Sequence, residues 1–204
     1  MVITVASFKG GVGKTTTAVH VAAYLQSSAG TMLVDGDPNR SSTEWGRRGR
    51  LPFRVVTERE AALHAREYEH IVIDTKARPE EEDLKELARG CHLLVIPCTP
   101  DPLSLQALRL TIQALHSIGA ERYRVLLTVV PPRPSRDGED AREMLASLGV
   151  PCFQTQVRRL VAFQRAVLEG TTVKDVDDPR SAAGWEDYCG VGKEILEAAT
   201  RAAA

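Results

Sequence analysis

Lys9-Gly10-Gly11-Val12-Gly13-Lys14-Thr15-Thr16 lies between an apolar, β-branched run at 2–6 and a helical pattern over 16–26. Strand, glycine loop and helix in that order aim successive backbone N–H groups, and the positive end of a helix, at an anion. The glycines let the backbone curl around a phosphate where a Cβ would collide. Lys14 is placed to reach the outer phosphates of a nucleotide, and Thr15 to set a hydroxyl on Mg2+. Gly10, Gly11, Val12, Gly13, Lys14, Thr15 and Thr16 are therefore the candidate nucleotide-binding residues. The common spelling of such a loop, G-x-x-x-x-G-K-[ST], would begin with glycine where Phe8 stands. Here a second lysine, Lys9, opens the loop instead.

Outward from this loop, apolar runs at 2–6, 32–35, 53–56, 70–74, 93–97, 124–130 and around 153–157 predict strands. Helical periodicity over 16–26, 42–48, 58–66, 80–88, 104–118, 139–148, 160–168 and 183–202 alternates with them. Strands apolar throughout, such as HIVID and LLVIP, suit a sheet covered on both faces. The expected fold is a doubly wound α/β domain, mostly parallel, with helices on both faces. Ligands in such folds sit at the carboxyl ends of the strands, so residues just after each strand carry most weight. No internal repeat or low-complexity tract interrupts the chain, and the Pro-rich segment 131–135 is too short for a linker. One domain over 1–204 is the expectation.

With 204 residues, 43 % hydrophobic, the chain is long enough to bury a proper core. Lys and Arg number 26 against 27 Asp and Glu, a net charge of −1, which excludes a constitutive histone-like polycation. Nucleic-acid binding must be argued from a site or a switch. No apolar run approaches the roughly 18 residues of a membrane span. The N-terminus lacks a basic region followed by a cleavage site, so a cytoplasmic protein is expected. Cys91, Cys98, Cys152 and Cys189 are widely spaced with no C-x-x-C, and read as small buried residues.

Two strand ends bring carboxylates: Asp35-Gly36-Asp37-Pro38-Asn39 after the second run and Asp74-Thr75 after the fourth. Together with the K-G-G-V-G-K-T-T string, these elements resemble the ParA/MinD superfamily of ATPases, whose phosphate loop is the deviant Walker A form of the P-loop NTPase. The resemblance implies ATP and Mg2+ as ligands. It implies that Lys9 reaches across a two-fold homodimer to the partner's ATP and that Lys14 and Lys9 are catalytic cations. Asp37, in the D-x-D-P-[QN] element, would orient the attacking water, with Asp35 supporting the Mg2+ shell. Asp74 and Thr15 would stand on the metal side. Pro131 and Pro132 occupy the place where the family's adenine-binding loop begins. The stretch Val157-Arg158-Arg159, then Phe163 and Gly170, is similar to a late segment of small ParA proteins. Since the loop starts within ten residues of Met1, the resemblance is closest to the short ParA class without an N-terminal helix-turn-helix.

The resemblance implies a positioning ATPase. ATP would drive a sandwich dimer that grips DNA without sequence preference over the nucleoid. A small adaptor, centromere-binding or cargo-adaptor protein would stimulate hydrolysis, and the cargo would be a plasmid, a chromosome or a protein body such as a carboxysome. Arg158, Arg159, Arg165 and Lys193 are the favoured DNA contacts, with Arg47, Arg48 and Arg50 a second basic cluster. Alternatives are a metabolic enzyme of the dethiobiotin synthetase type, which does not carry the second lysine, and a MinD-like membrane-site regulator. The end of the chain has few large apolar residues and no basic stripe, which argues against membrane docking. One departure from the family stands out: Lys76 and Arg78 follow Asp74-Thr75, where a small residue is usual. They either pair with acidic residues 80–82 or face the nucleotide or a partner.

Overall fold

The predicted alternation is realised as six parallel strands wrapped by helices. The computed structural model describes the backbone of residues 1–77, 79 and 81–203. β1 (Val2–Ser7) runs through the glycine loop into α1 (Lys14–Gln26), followed by β2 (Thr31–Gly36) and α2 (Ser41–Gly46). Next come β3 (Arg54–Thr57), α3 (Glu58–His64) and β4 (His70–Ala77), then α4 (Glu81–Gly90), β5 (Leu93–Cys98) and α5 (Pro102–Ser117). β6 (Tyr123–Leu127), α6 (Asp137–Ser147), α7 (Val161–Glu169) and α8 (Ser181–Ala203) complete it. The strand order is β3-β2-β4-β1-β5-β6.

Parallel pairing needs a crossover at every step, and the crossover helices cover both faces of the sheet. That is why β5 is buried at every position instead of alternating. Leu93 and Val95 belong to the cluster that holds Ile3, Val5, Leu25 of α1 and Ile195 of α8. Leu94 and Ile96 point the other way, among Leu84 of α4, Leu115 of α5 and Leu145 of α6. Local signals set the helix starts. Thr57 and Glu60 close a capping box on α3, while Asp101 caps α5 by accepting from Ser104 N–H, with Pro102 in the first turn.

The strand expected around 153–157 is a correction. Phe153 N–H does bond to the Val125 carbonyl and Val157 N–H to that of Leu127, each at 2.9 Å. Between them, however, Gln154 and Thr155 N–H groups donate to the Glu194 carboxylate of α8, both at 2.8 Å. A side chain takes the donors a ladder would use, leaving isolated bridges where a seventh strand was predicted. β6 also stops short, at Leu127, because Val129 turns the chain with φ +53°.

His20, wholly buried on α1, stacks on Tyr188 of α8 with ring centroids 4.7 Å apart. Its Nδ1–H donates to the Thr16 carbonyl (2.7 Å), so Nε2 is free to accept the Val173 N–H (2.9 Å). Burial pushes its pKa down from 6.5 to about 4. Between those values the unfolded chain holds a proton that the folded chain refuses. The stabilisation is complete above about pH 6.5 and is lost as pH falls toward 4. The shift is worth about 3 kcal/mol. Urea unfolding of the wild type should lose about that much more stability over this window than His20→Gln does; parallel curves would assign the acid sensitivity elsewhere.

Candidate functional site

β1 delivers the glycine loop to the carboxyl end of the sheet. Gly11 and Gly13 sit at φ +79° and +77°, where a side chain would be strained. The loop is tied at both ends: Ser7 hydroxyl donates to the Lys9 carbonyl (3.0 Å), and Thr128 hydroxyl to the Val12 carbonyl (2.8 Å). The left-handed Gly13 also starts α1 at Lys14, two residues before the predicted start, with Thr17 N–H bonded to the Gly13 carbonyl.

Sheet register supplies the rest. Asp74 of β4 lies level with Val5 of β1 on one side and with Asp35 of β2 on the other. Lys14 Nζ, buried, reaches Asp74 Oδ1 (2.9 Å) and Asp37 Oδ2 (3.1 Å). Asp74 Oδ2 accepts from Thr15 Oγ1 (2.8 Å) and Ser42 Oγ (2.7 Å). Burial raises the pKa of Asp74 against the pull of Lys14 and the two hydroxyls. For Asp37, burial also pushes upward, but the Asn39 N–H at 2.9 Å and the Lys14 ammonium outweigh it, so the carboxyl titrates below its usual range. Asp35 is placed differently from Asp74. Its oxygens take the Asp37 N–H (3.1 Å) and the N–H and hydroxyl of Thr43 (2.8 and 2.6 Å). It therefore holds the backbone that presents Asp37, one step behind the Thr15–Asp74 pair.

Two cavities flank the loop and share Gly11, Gly13 and Thr16. One, of about 390 Å³, is polar and takes in Lys9, Lys14, Thr15 and Asp37. The other, of about 270 Å³, is walled by Val129, Val157, Leu160, Phe163 and Tyr188. A cationic, N–H-rich half joined to an apolar half suits the phosphates and the base of one nucleotide. Thr15 Oγ1 beside Asp74 Oδ2 is a pair of hard oxygen donors, which fits Mg2+. Among the described residues no cluster of three or more His, Cys, Asp or Glu could hold a metal, so phosphates and water would complete its shell. Pro131 and Pro132 line neither cavity. Val129, with φ +53°, lines the apolar cavity just before them.

Lys9 does not join Lys14. Its Nζ is clasped at the start of α5 by Asp101 Oδ1 (3.1 Å) and Ser104 Oγ (2.7 Å) of the same chain. Hydroxyls of Ser104 and Thr99, and then Lys9, hold the Asp101 carboxyl far below its usual range. Lys76 pairs with Asp83 at 2.6 Å, one residue beyond the acidic stretch expected for it; Arg78 and residue 80 lie outside the described residues. The basic clusters are mostly neutralised. Arg158 grips the buried Asp187 with two nitrogens (Nε 2.8 Å, Nη2 2.6 Å), and Arg165 pairs with Asp178 (2.9 Å). Arg47 pairs with Glu44, Arg50 with Glu169 (3.5 Å), and Arg48 donates to the Val167 carbonyl. Arg159 and Lys193 remain exposed.

Contributors missed from sequence include Ser7, Ser42, Thr43, Thr128, Ser104 and Asp101. The last is signalled by Asp101-Pro102-Leu103-Ser104, a helix-cap pattern whose link to Lys9 only the fold reveals. Cys91 and Cys98 are buried as expected, with burial pushing the Cys98 thiol up to about 12, whereas Cys152 and Cys189 are only partly buried.

Residues 3–173 match the CobQ/CobB/MinD/ParA nucleotide binding domain. The "Maintenance of carboxysome distribution protein A" of Gloeobacter kilaueensis is 34 % identical over 201 residues, covering 95 % of this chain and 93 % of that protein. The ATP complex of a Cyanothece McdA variant superposes with a TM-score of 0.72 at 16 % identity, over 97 % of this chain and 95 % of the other. A putative plasmid partition protein from Borrelia burgdorferi bound to AMPPNP gives 0.70 at 18 % identity, over 98 % of each. With loop, carboxylates, parallel sheet and family match in agreement over most of its length, the chain belongs to the MinD/ParA family of nucleotide-binding domains.

Proposed function

We infer that the protein is a ParA-type positioning ATPase that cycles between a monomer and an ATP-bound sandwich dimer. The observation that carries this reading is the second lysine. Lys14 already serves the chain's own phosphate cavity, while Lys9, at its mouth, is held away on α5 by Asp101 and Ser104. A cation that its own loop does not use is available to the phosphates of a facing copy, where it would stabilise charge developing in the transition state. Beside that clasp, Leu103 and Leu110 of α5 are 70 % and 66 % exposed, apolar surface that a second copy would cover.

Within each copy the site residues take distinct tasks. Bound phosphates compete for the Lys14 ammonium, which frees Asp37 to hold a water. Asp35 and Asn39 keep that carboxylate in place through its own backbone and the next turn. The Asn39 N–H takes one oxygen of that carboxylate, leaving the other, released by Lys14, to accept from the water. Thr15 and Asp74 would hold Mg2+, which would supply charge neutralisation at the phosphates.

The dimer would bind nucleoid DNA without sequence preference, and a partner protein would stimulate hydrolysis and release it. Two relatives named for carboxysome distribution, the Gloeobacter protein and one from Halothiobacillus neapolitanus, support a carboxysome-type compartment as cargo. A Rhizobium radiobacter relative named "Protein ParA" is similar over 64 % of this chain. The carboxysome reading covers more of the chain. Among the described residues no helix is long and apolar enough to cross a membrane.

Light scattering and DNA binding with no nucleotide, ADP and ATP test the reading. Dimerisation and salt-sensitive DNA binding are expected with ATP alone. A protein that stays monomeric with ATP and ignores DNA at low salt refutes it. Lys9→Ala should still bind ATP but lose the ATP dimer or its turnover; an unaffected variant would mean that no finger operates from this position.

A further inference from the structure

A second cavity chemistry lies at the other end of the sheet. Between the last turns of α4 and the connection from α5 to β6 is a cleft of about 300 Å³. Lys85, Arg89 and Arg122 line it, over apolar Ala88 and Ile118, with Glu121 the one carboxylate. These residues precede β5 and β6, so the cleft opens at the amino ends of strands whose carboxyl ends carry the nucleotide loop. Strands of this length put roughly 20 Å between the two sites.

Several arginines elsewhere are matched, Arg158 by Asp187, Arg165 by Asp178, Arg50 by Glu169 and Arg136 by Glu139, whereas at this cleft three unmatched cations converge on one concavity. Among the described residues Lys85, Arg89 and Arg122 make no ion pair and no side-chain hydrogen bond; Glu121, though at the same cleft, pairs with none of them. Lys85 and Arg89 are four apart on α4, so the like charges share one helix face and repel. Arg89 gains something from the helix C-terminus, but Lys85, a turn earlier, and Arg122, on another element, do not. Concave walls of low dielectric strengthen the field of such a group. Two guanidinium forks and an ammonium match oxyanions, and phosphate above all. The volume admits one or two phosphate groups but not a duplex, which would lay its backbone across the mouth.

We propose that Lys85, Arg89 and Arg122 form a phosphate-binding cleft distinct from the nucleotide site, and that its phosphates are those of the DNA backbone. The choice of DNA rests on the function inferred above; the cleft's preference for phosphate does not. In a sandwich dimer joined at the nucleotide ends the two clefts face outward at opposite ends, so each dimer offers two separate phosphate sites. The cleft also supplies the cationic surface that Arg158 and Arg165 do not.

The test compares wild type with Lys85→Gln/Arg89→Gln/Arg122→Gln, both saturated with Mg-AMPPNP so that the nucleotide site is filled. Duplex DNA binding is followed by fluorescence anisotropy across a salt series, and pyrophosphate binding by calorimetry; ATP turnover and dimer formation serve as controls and should be unchanged. DNA affinity should fall about tenfold or more at low salt, with the log–log salt slope shallower by about 2 to 3. Should wild type ignore DNA while pyrophosphate binds and the triple variant abolishes that binding, the cleft stands with free phosphate as its ligand, and the DNA-binding function falls instead. Equal DNA and pyrophosphate binding by the two proteins, or no binding of either by wild type, overturns the proposal.

Discussion

Lys14→Ala is expected to lose ATP binding on the order of a thousand-fold, read by calorimetry with Mg-ATP. The lysine is the one buried cation between Asp37 and Asp74. Two charge-assisted contacts to phosphate, at about 2 kcal/mol each, account for a loss of that size. Its removal also leaves two neighbouring carboxylates without the cation that balances them. The nucleotide-free protein should therefore be less stable to urea by about 3 kcal/mol. Adding Asp37→Asn to Lys14→Ala removes one of the stranded charges and should recover part of that stability, but none of the ATP affinity. Retained tight ATP binding by Lys14→Ala would refute the assignment of the loop.

Asp37→Ala should divide the cycle at the opposite point. ATP affinity is expected within a few-fold of wild type, while turnover falls on the order of a hundred- to a thousand-fold. Light scattering should then find a dimer that persists with ATP. Asp37→Asn controls for structure, because its side-chain oxygen can still accept the Asn39 N–H while carrying no charge. It should also turn over slowly. Normal hydrolysis by either variant would remove Asp37 from the role of holding the water.

The nucleotide half of the site was legible because its chemistry is local. Gly10 to Thr16 are consecutive, and the left-handed turns at Gly11 and Gly13 are conformations that glycine adopts at little cost. Asp37 and Asp74 were singled out by strand-end position together with the family resemblance, since residues following parallel strands all arrive at one end of the sheet. The base-side wall was not. Pro131 and Pro132 follow the right strand, but the turn at Val129 intervenes, and no pattern announces a β-branched residue with positive φ. The missing seventh strand has the same origin. Residues 152–158 have the composition of a strand, and Glu194, some forty residues away, intercepts two of their N–H groups.

Charge behaved likewise. Composition alone gave −1 and separated a general polycation from a protein needing a site. It could not tell which arginines are matched, because Asp187 and Asp178 reach Arg158 and Arg165 only through the packing of α8 and the segment before it. Nor does it bring Arg122 to the face of α4 that carries Lys85 and Arg89.

By itself, then, the sequence determined the parallel α/β architecture, the phosphate loop and the strand ends that carry carboxylates, since each follows from periodicity, glycine geometry or chain direction. Tertiary structure decided which side chains meet. It set Lys14 between two aspartates, gave Asp35 to the loop of Asp37, clasped Lys9 on α5 and left three cations together at the far end of the sheet. Such meetings depend on strand register and helix packing between residues distant in the chain, and no local pattern records them.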